Sequence, residues 1–220
     1  MMTPVYFGQD GESSSGAEEP HTFFTEVSSK TYEHYMDYGL EDFNKARQLC
    51  TLLRGAQEED TVILRINCLG GRFDVAAQII NAMRECVATV IGVIEQECAS
   101  AATMVFLSCD QWQVQPWAEM MIHYASYGSV GKGHEVSSRV ASNDVMFPKV
   151  FAEVYQDFLS PEEITNVIRG QDIYLTQEEI TARLKNVVAN LKNEEDKNDT
   201  EEELEETSEC TQVLEDSQES

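Results

Sequence analysis

The chain has 220 residues, of which 42% are apolar, and its formal net charge at pH 7 is −25. This length allows one folded domain with a substantial core, plus a tail. The acidic balance argues against direct binding to nucleic acid or an anionic membrane, because both are themselves negative. No apolar run approaches the roughly eighteen residues of a transmembrane span, and no secretory signal pattern is present, so a soluble cytoplasmic protein is expected.

Both ends of the chain have the composition of unfolded segments. Residues 193–220 contain thirteen acidic residues and one lysine, with no aromatic residue. This predicts a disordered acidic tail, which is expected to be solvated rather than to dock on a basic partner. Residues 1–20 end in a loose mixture of Gly, Ser, Glu and Pro, which predicts a flexible segment. The folded domain is therefore assigned to residues 21–192.

Predicted strands and helices alternate along the body of the chain. Runs rich in β-branched residues predict strands, and apolar residues three or four apart predict helices. In chain order these are a strand within 30–38, a helix at 40–53, a strand at 61–67, a helix at 73–84, a strand at 87–94, a helix at 101–108, strands at 112–114 and 119–123, and a long helix at 134–159. The alternation predicts α/β architecture with right-handed crossovers.

Two capping boxes follow the long helix. The first covers 160–163, with Pro161 at the first helical position, and the second covers 176–179. Each predicts the start of a new helix, and the second helix is expected to continue over 180–188. Asp172 lies in the short connection between the boxes.

The six cysteines form no CxxC pair and do not cluster with histidine, so neither a metal site nor a cofactor is predicted. Most lie in apolar segments and are expected to be buried. Cys98 precedes Ser100 by two residues but lies on the strand side of the turn. It is discounted as a nucleophile, because a buried thiol is a poor source of thiolate.

Ser100 lies where an apolar strand gives way to a helix. Free N–H groups in the first turn of a helix can stabilise an oxyanion at such a corner. His123 ends a later strand and Asp172 follows, which supplies the three parts of a nucleophilic triad. The Gly70-Gly71 pair, between a strand and a helix, can aim backbone N–H groups outward. Each feature alone is more typical of a turn, a cap or packing, so the hypothesis depends on their combination and order.

In this order the motifs resemble the Clp protease proteolytic subunit family (ClpP). The family pattern has a Gly-Gly turn after a strand, Ala-Ser at a strand-to-helix corner, Met-Ile-His, a glycine-rich loop, and Asp-x-aromatic-Leu-Thr-x-Glu-Glu. Here these motifs stand at 66–71, 98–102, 121–123, 128–131 and 172–179. The resemblance covers residues 30–179, and the shortened Ser-to-His interval is closer to the ClpP-like proteins of bacteriophages.

The resemblance implies a fold and a role for each site residue. The implied fold is the ClpP/crotonase-type spiral of β-β-α units, with 134–159 as a protruding handle helix. Ser100 would be the nucleophile, His123 the general base, and Asp172 the group that orients the imidazole. The N–H groups of Gly71 and Ala101 would form the oxyanion hole. The implied activity is that of an ATP-dependent serine endopeptidase, acting in protein degradation or in the processing of viral proteins.

The resemblance also implies partners. These are a homo-oligomeric ring, either hexamer or heptamer and open to stacking, unfolded polypeptide substrates, and a Clp-type ATPase as a candidate unfoldase. The chain departs from the family in having Cys68-Leu69 before the glycine pair, in the helical sequence after Glu179, and in lacking a recognisable gating segment at its N-terminus. Two alternatives stay open: a crotonase-fold enzyme acting on acyl-CoA, and a catalytically silent scaffold or adaptor.

Overall fold

The computed structural model describes residues 28–126 and 128–192. The predicted flexible segment 1–20 and the predicted acidic tail 193–220 lie outside the described residues, as does the beginning of the assigned domain at 21–27.

Six strands and six helices form the described part of the chain. The strands are β1 (Thr31–Met36), β2 (Thr61–Cys68), β3 (Thr89–Ala99), β4 (Gln111–Val114), β5 (Glu119–Ile122) and β6 (Ile173–Thr176). The helices are α1 (Phe43–Gly55), α2 (Phe73–Arg84), α3 (Ala101–Leu107), α4 (Gly133–Tyr155), α5 (Pro161–Ile168) and α6, over 177–192. The predicted α/β architecture is confirmed.

The six strands form one sheet in the order β1-β2-β3-β5-β6, and β4 also pairs with β3. The pairings of β1 with β2 and of β3 with β2, β4 and β5 are parallel, as βαβ crossovers require. Only β5 and β6 run antiparallel, with Ile122 opposite Ile173. This register brings the C-terminal end of β5 beside the N-terminal end of β6.

The two faces of β2 have different environments. Val62, Leu64 and Ile66 are fully buried in the hydrophobic core, which also includes the apolar faces of α1, α2 and α3. On the opposite face, Arg65 forms ion pairs of 2.7 Å with Glu33 on β1 and Glu95 on β3. The alternation of a strand thus separates a core face from a charged face.

β3 is longer than the sequence predicts. Its predicted end was Ile94, where the polar residues Glu95 and Glu97 follow, but the strand continues to Ala99. The carboxylate of Glu95 lies on the charged face of the sheet, and the N–H of Glu97 donates to the side chain of Asn67 at 3.2 Å. Polar residues on a half-covered sheet therefore do not end a strand, and β3 leads directly into Ser100.

The start of α1 differs from the prediction, both capping boxes agree with it, and one strand was missed. α1 begins at Phe43 rather than at residue 40, because the Asp42 side chain accepts hydrogen bonds from the N–H groups of Asn44 and Lys45. Both capping boxes are confirmed, with reciprocal hydrogen bonds at 160–163 and at 176–179. The four-residue strand β6 was not predicted.

α4 is the long helix that was expected at 134–159. It has 23 residues, of which only Phe151 and Tyr155, near its C-terminal end, are buried. Most of the surface of the helix is therefore exposed, as expected for a handle. Among the described residues, no helix has both the length and the apolar composition that would let it cross a membrane.

Candidate active site

Ser100 occupies a strained backbone corner between β3 and α3. Its φ of 54° and ψ of −129° lie in a region that costs a non-glycine residue about 1–3 kcal/mol. The corner is held from both sides, because the Ser100 N–H donates to the Met121 carbonyl at 2.8 Å and the Ser100 carbonyl accepts from the Thr103 N–H at 3.0 Å. Such a turn presents the hydroxyl outside the helix, as nucleophile elbows do.

His123 follows β5 directly and lies beside this corner. The parallel register of β3 and β5 pairs Ala99 with Met121, which brings the two strand ends together. The Ser100 Oγ and His123 Nε2 atoms are 2.7 Å apart, and both side chains are partly exposed. With the imidazole proton on Nδ1, Nε2 accepts the hydrogen bond from the serine hydroxyl, which is the arrangement a general base needs.

Asp172 immediately precedes β6. The antiparallel register that pairs Ile122 with Ile173 places His123 and Asp172 next to each other when it is continued by one residue. The Asp172 side chain is exposed, and no hydrogen bond joins it to His123 within residues 28–126 and 128–192. The structure thus brings Ser100 and His123 into contact, and the role of Asp172 stays a prediction.

Gly70 lets the turn after β2 approach the serine corner closely. Its φ is +88°, and a Cβ at this position would lie 2.5 Å from the Ala99 carbonyl oxygen and 2.8 Å from the Ser100 Cβ. Any side chain would therefore both strain the backbone and displace the candidate nucleophile.

The predicted oxyanion hole uses the N–H groups of Gly71 and Ala101, which lie in the turn after β2 and at the start of α3. Leu40 bonds to the residues on either side of Gly71, donating to the Gly70 carbonyl at 2.9 Å and accepting from the Arg72 N–H at 3.3 Å. The Gly71 N–H itself has no acceptor among the described residues, and neither does that of Ala101, the first residue of α3. Both residues line the same cleft as Ser100.

The cleft has a volume of about 970 Å³ and contains residues that the sequence did not indicate. Besides Ser100 and His123, it is lined by Met104 of α3 and by Arg139, Phe147 and Phe151 of α4. α4 therefore forms one wall of the cleft. These positions carry no local motif, so only the three-dimensional arrangement of the helix connects them with the serine.

The other candidate nucleophile and bases are placed differently. Cys98 is fully buried, and this burial raises the pKa of its thiol well above the ordinary value, which is consistent with discounting it. His34, on β1, is hydrogen-bonded to the Tyr38 hydroxyl at 2.9 Å, and His134 is exposed near the start of α4. Within the described ranges, no group of three or more His, Cys, Asp or Glu residues could hold a metal ion.

Comparison with known families decides the class of the protein. The sequence model described as Clp protease matches residues 41–182, which is more than half of the chain. The chain belongs to the Clp protease family. This membership confirms the resemblance and the ClpP-type α/β fold, and it supports a ClpP-like peptidase. A search of the curated proteins finds no match.

Proposed function

We propose that this Clp protease family member is a serine endopeptidase with Ser100 as nucleophile and His123 as general base. The main support is the 2.7 Å hydrogen bond between the Ser100 Oγ and the His123 Nε2. It lies at a strained corner in a cleft, beside two N–H groups that lack an acceptor among the described residues. A hydroxyl is a weak nucleophile, so a base at this distance is what makes the serine competent.

In the acylation step, the Ser100 oxygen forms a bond to the scissile carbonyl carbon while its proton moves to His123 Nε2. The carbonyl π electrons move to oxygen, and the N–H groups of Gly71 and Ala101 stabilise that charge. One such donor contributes about 3 kcal/mol to the transition state. The imidazolium then protonates the leaving amine as the C–N bond breaks, which leaves an acyl ester on Ser100. Water then attacks the ester carbonyl carbon while His123 takes its proton. The acyl–Oγ bond breaks, the new carboxylic acid leaves, and His123 returns the proton to Ser100.

Asp172 is proposed to orient the imidazole and stabilise the imidazolium. The carboxylate would accept a hydrogen bond from the Nδ1–H of His123, which keeps Nε2 free to accept from Ser100. The β5–β6 register supports this role, since opposite residues in an antiparallel pair lie about 5 Å apart at their Cα atoms.

A fluorophosphonate probe tests the nucleophile. The wild-type protein should gain one adduct by intact mass, mapped by peptide mass spectrometry to Ser100, and Ser100→Ala should gain none. Ser108→Ala is the matched control, because Ser108 lies at the other end of α3 and its hydroxyl bonds to the Met104 carbonyl at 2.9 Å. Absence of labelling between pH 6 and 9, or equal labelling of Ser100→Ala, would refute the function.

We further infer that the protein acts as a ring, hexameric or heptameric, that admits unfolded chains delivered by a Clp-type ATPase in the cytoplasm. Family membership and helix α4 support assembly, since a long, largely exposed helix offers a surface to another subunit. Native mass spectrometry of the wild-type and Ser100→Ala proteins gives the ring size. Casein degradation with and without a Clp-type ATPase and ATP tests energy dependence. Rings that never cleave a peptide would favour the scaffold function instead.

A further inference from the structure

A buried chain of hydroxyl groups connects helix α4 with the Ser100 corner. The Thr103 hydroxyl donates to the Ser100 carbonyl oxygen at 2.6 Å, and the Tyr155 hydroxyl lies 2.5 Å from the same threonine oxygen. Thr103 is 0% exposed and Tyr155 is 2% exposed. Their positions are 52 residues apart in the sequence, at the start of α3 and the end of α4.

The direction of this chain follows from its donors and acceptors. A carbonyl oxygen can only accept, so the single proton of the Thr103 hydroxyl is used on Ser100. The Tyr155 hydroxyl must then be the donor to the Thr103 oxygen. Burial raises the pKa of Tyr155, which keeps the phenol protonated and able to donate. The hydroxyl chain therefore runs one way, from Tyr155 through Thr103 to the Ser100 carbonyl.

The Ser100 carbonyl and the Ala101 N–H belong to one peptide unit. That unit is planar and trans, so its C=O and N–H bonds point in opposite directions and turn together. A hydrogen bond that fixes the carbonyl on the α3 side thus also fixes the direction of the N–H on the opposite side. In the proposed function, this N–H is one of the two oxyanion donors.

We propose that Thr103 and Tyr155 are positioning residues that aim the Ala101 N–H at the developing oxyanion. This role rests on the proposed function. It has a reason in the backbone, because the positive φ of Ser100 is unfavourable for serine and needs contacts that hold it. The main-chain bond from the Thr103 N–H, at 3.0 Å, fixes the carbonyl only in part, and the 2.6 Å hydroxyl bond gives it a second, shorter anchor.

The test compares the rates at which a fluorophosphonate labels each variant at saturating probe concentration. During this reaction the phosphoryl oxygen gains negative charge in the oxyanion hole. Thr103→Val removes the hydroxyl at nearly constant volume and should slow labelling about tenfold, the effect of one hydrogen bond. The probe concentration at half-saturation should stay unchanged, since ground-state binding does not use this N–H. Tyr155→Phe, which removes only the outer link, should slow labelling by less.

Two further variants separate positioning from general support of the fold. Thr103→Ser keeps the hydroxyl but loses a buried methyl group, so it should lower the melting temperature and still label within about twofold of wild type. The double variant Thr103→Val/Tyr155→Phe should label no more slowly than Thr103→Val, because both changes act on one carbonyl. It should melt no lower than Thr103→Val, because it leaves no buried phenol without a partner.

A control removes a threonine hydroxyl that also donates to a backbone carbonyl, at an exposed position on another helix. Thr51→Val deletes a bond of 2.8 Å to the Arg47 carbonyl on α1 and should label like wild type. If wild type labels and Thr103→Val labels equally fast, or if Thr103→Ser is as slow as Thr103→Val, the positioning role is refuted while the peptidase function stands. If wild type does not label at all, both are refuted.

Discussion

Substitution of Gly70 by alanine should damage both the stability and the chemistry of the protein. The φ of +88° costs an L-residue about 1–2 kcal/mol. The added Cβ would also lie 2.5 Å from the Ala99 carbonyl oxygen, 2.8 Å from the Ser100 Cβ and 2.9 Å from the Ala101 nitrogen. Relieving such overlap in a packed region costs about 1–3 kcal/mol, so the total should be about 2–5 kcal/mol.

Two other glycines separate the cost of the positive φ from the cost of the steric overlap. Gly170 has a φ of +104° but nothing within 4 Å of a built Cβ, so Gly170→Ala should cost only the conformational part, about 1–2 kcal/mol. Gly55, at the end of α1, has neither the positive φ nor a close neighbour, so Gly55→Ala should be neutral or stabilising by up to about 1 kcal/mol. Denaturant unfolding of the three alanine variants measures the free energy of each contribution.

The labelling rate of each glycine variant should depend on the steric overlap near Ser100 and not on the loss of stability. In Gly70→Ala the atoms that must move include the Ser100 Cβ and the Ala101 nitrogen, so fluorophosphonate labelling should fall about 100-fold or more, as when an oxyanion donor is lost. Gly170→Ala should label at the wild-type rate despite being destabilised. If Gly70→Ala is no less stable than Gly170→Ala and labels normally, the close approach of the two turns is refuted.

Three further outcomes are expected. Arg183 pairs with Glu163 at 2.6 Å and holds the pKa of that carboxyl at about 2. The stabilisation from this pair is present above the ordinary pKa of 4.5 and is lost as the pH falls through about 2. Glu163→Gln should therefore flatten the acid side of the stability curve and cost about 1–2 kcal/mol of unfolding free energy at pH 7 after solvent screening. An unchanged acid slope in pH-dependent unfolding would contradict this. In denaturant unfolding, Ser100→Gly should be more stable than Ser100→Ala by about 1 kcal/mol, because glycine relieves the positive φ. Equal unfolding free energies would mean that the corner is unstrained. Asp172→Asn should lower peptide turnover at least about tenfold, since the tautomer of His123 would no longer be fixed, and wild-type turnover of this variant would remove Asp172 from the triad.

Local patterns predicted the elements that carry their own signals. α2 spans Phe73–Arg84 as expected, because its apolar spacing is regular and the glycine pair at 70–71 separates it from β2. The serine corner and His123 were recognised because each lies at the end of an apolar strand. These features depend on residues close together in the sequence.

Features that depend on distant partners were missed. β6 has only four residues and is a strand because β5 offers it an edge to pair with. The continuation of β3 past Ile94 depends on pairing with β5 over residues 97–99 and with β2 at Cys98. The contact between Thr103 and Tyr155 requires α4 to return to the body of the protein, and no local pattern encodes that return.

Ser100 and His123, the proposed nucleophile and base, share one support. The Met121 carbonyl holds the Ser100 N–H, and His123 is only two residues further along the same chain segment. A displacement of β5 therefore moves serine and imidazole together and preserves their separation. Asp172 enters from β6, whose only strand partner within the described residues is β5. In the proposed triad, a shift of that short strand would change the orientation of the acid without moving Ser100 or His123, so it would slow acylation by a peptide and by a probe alike.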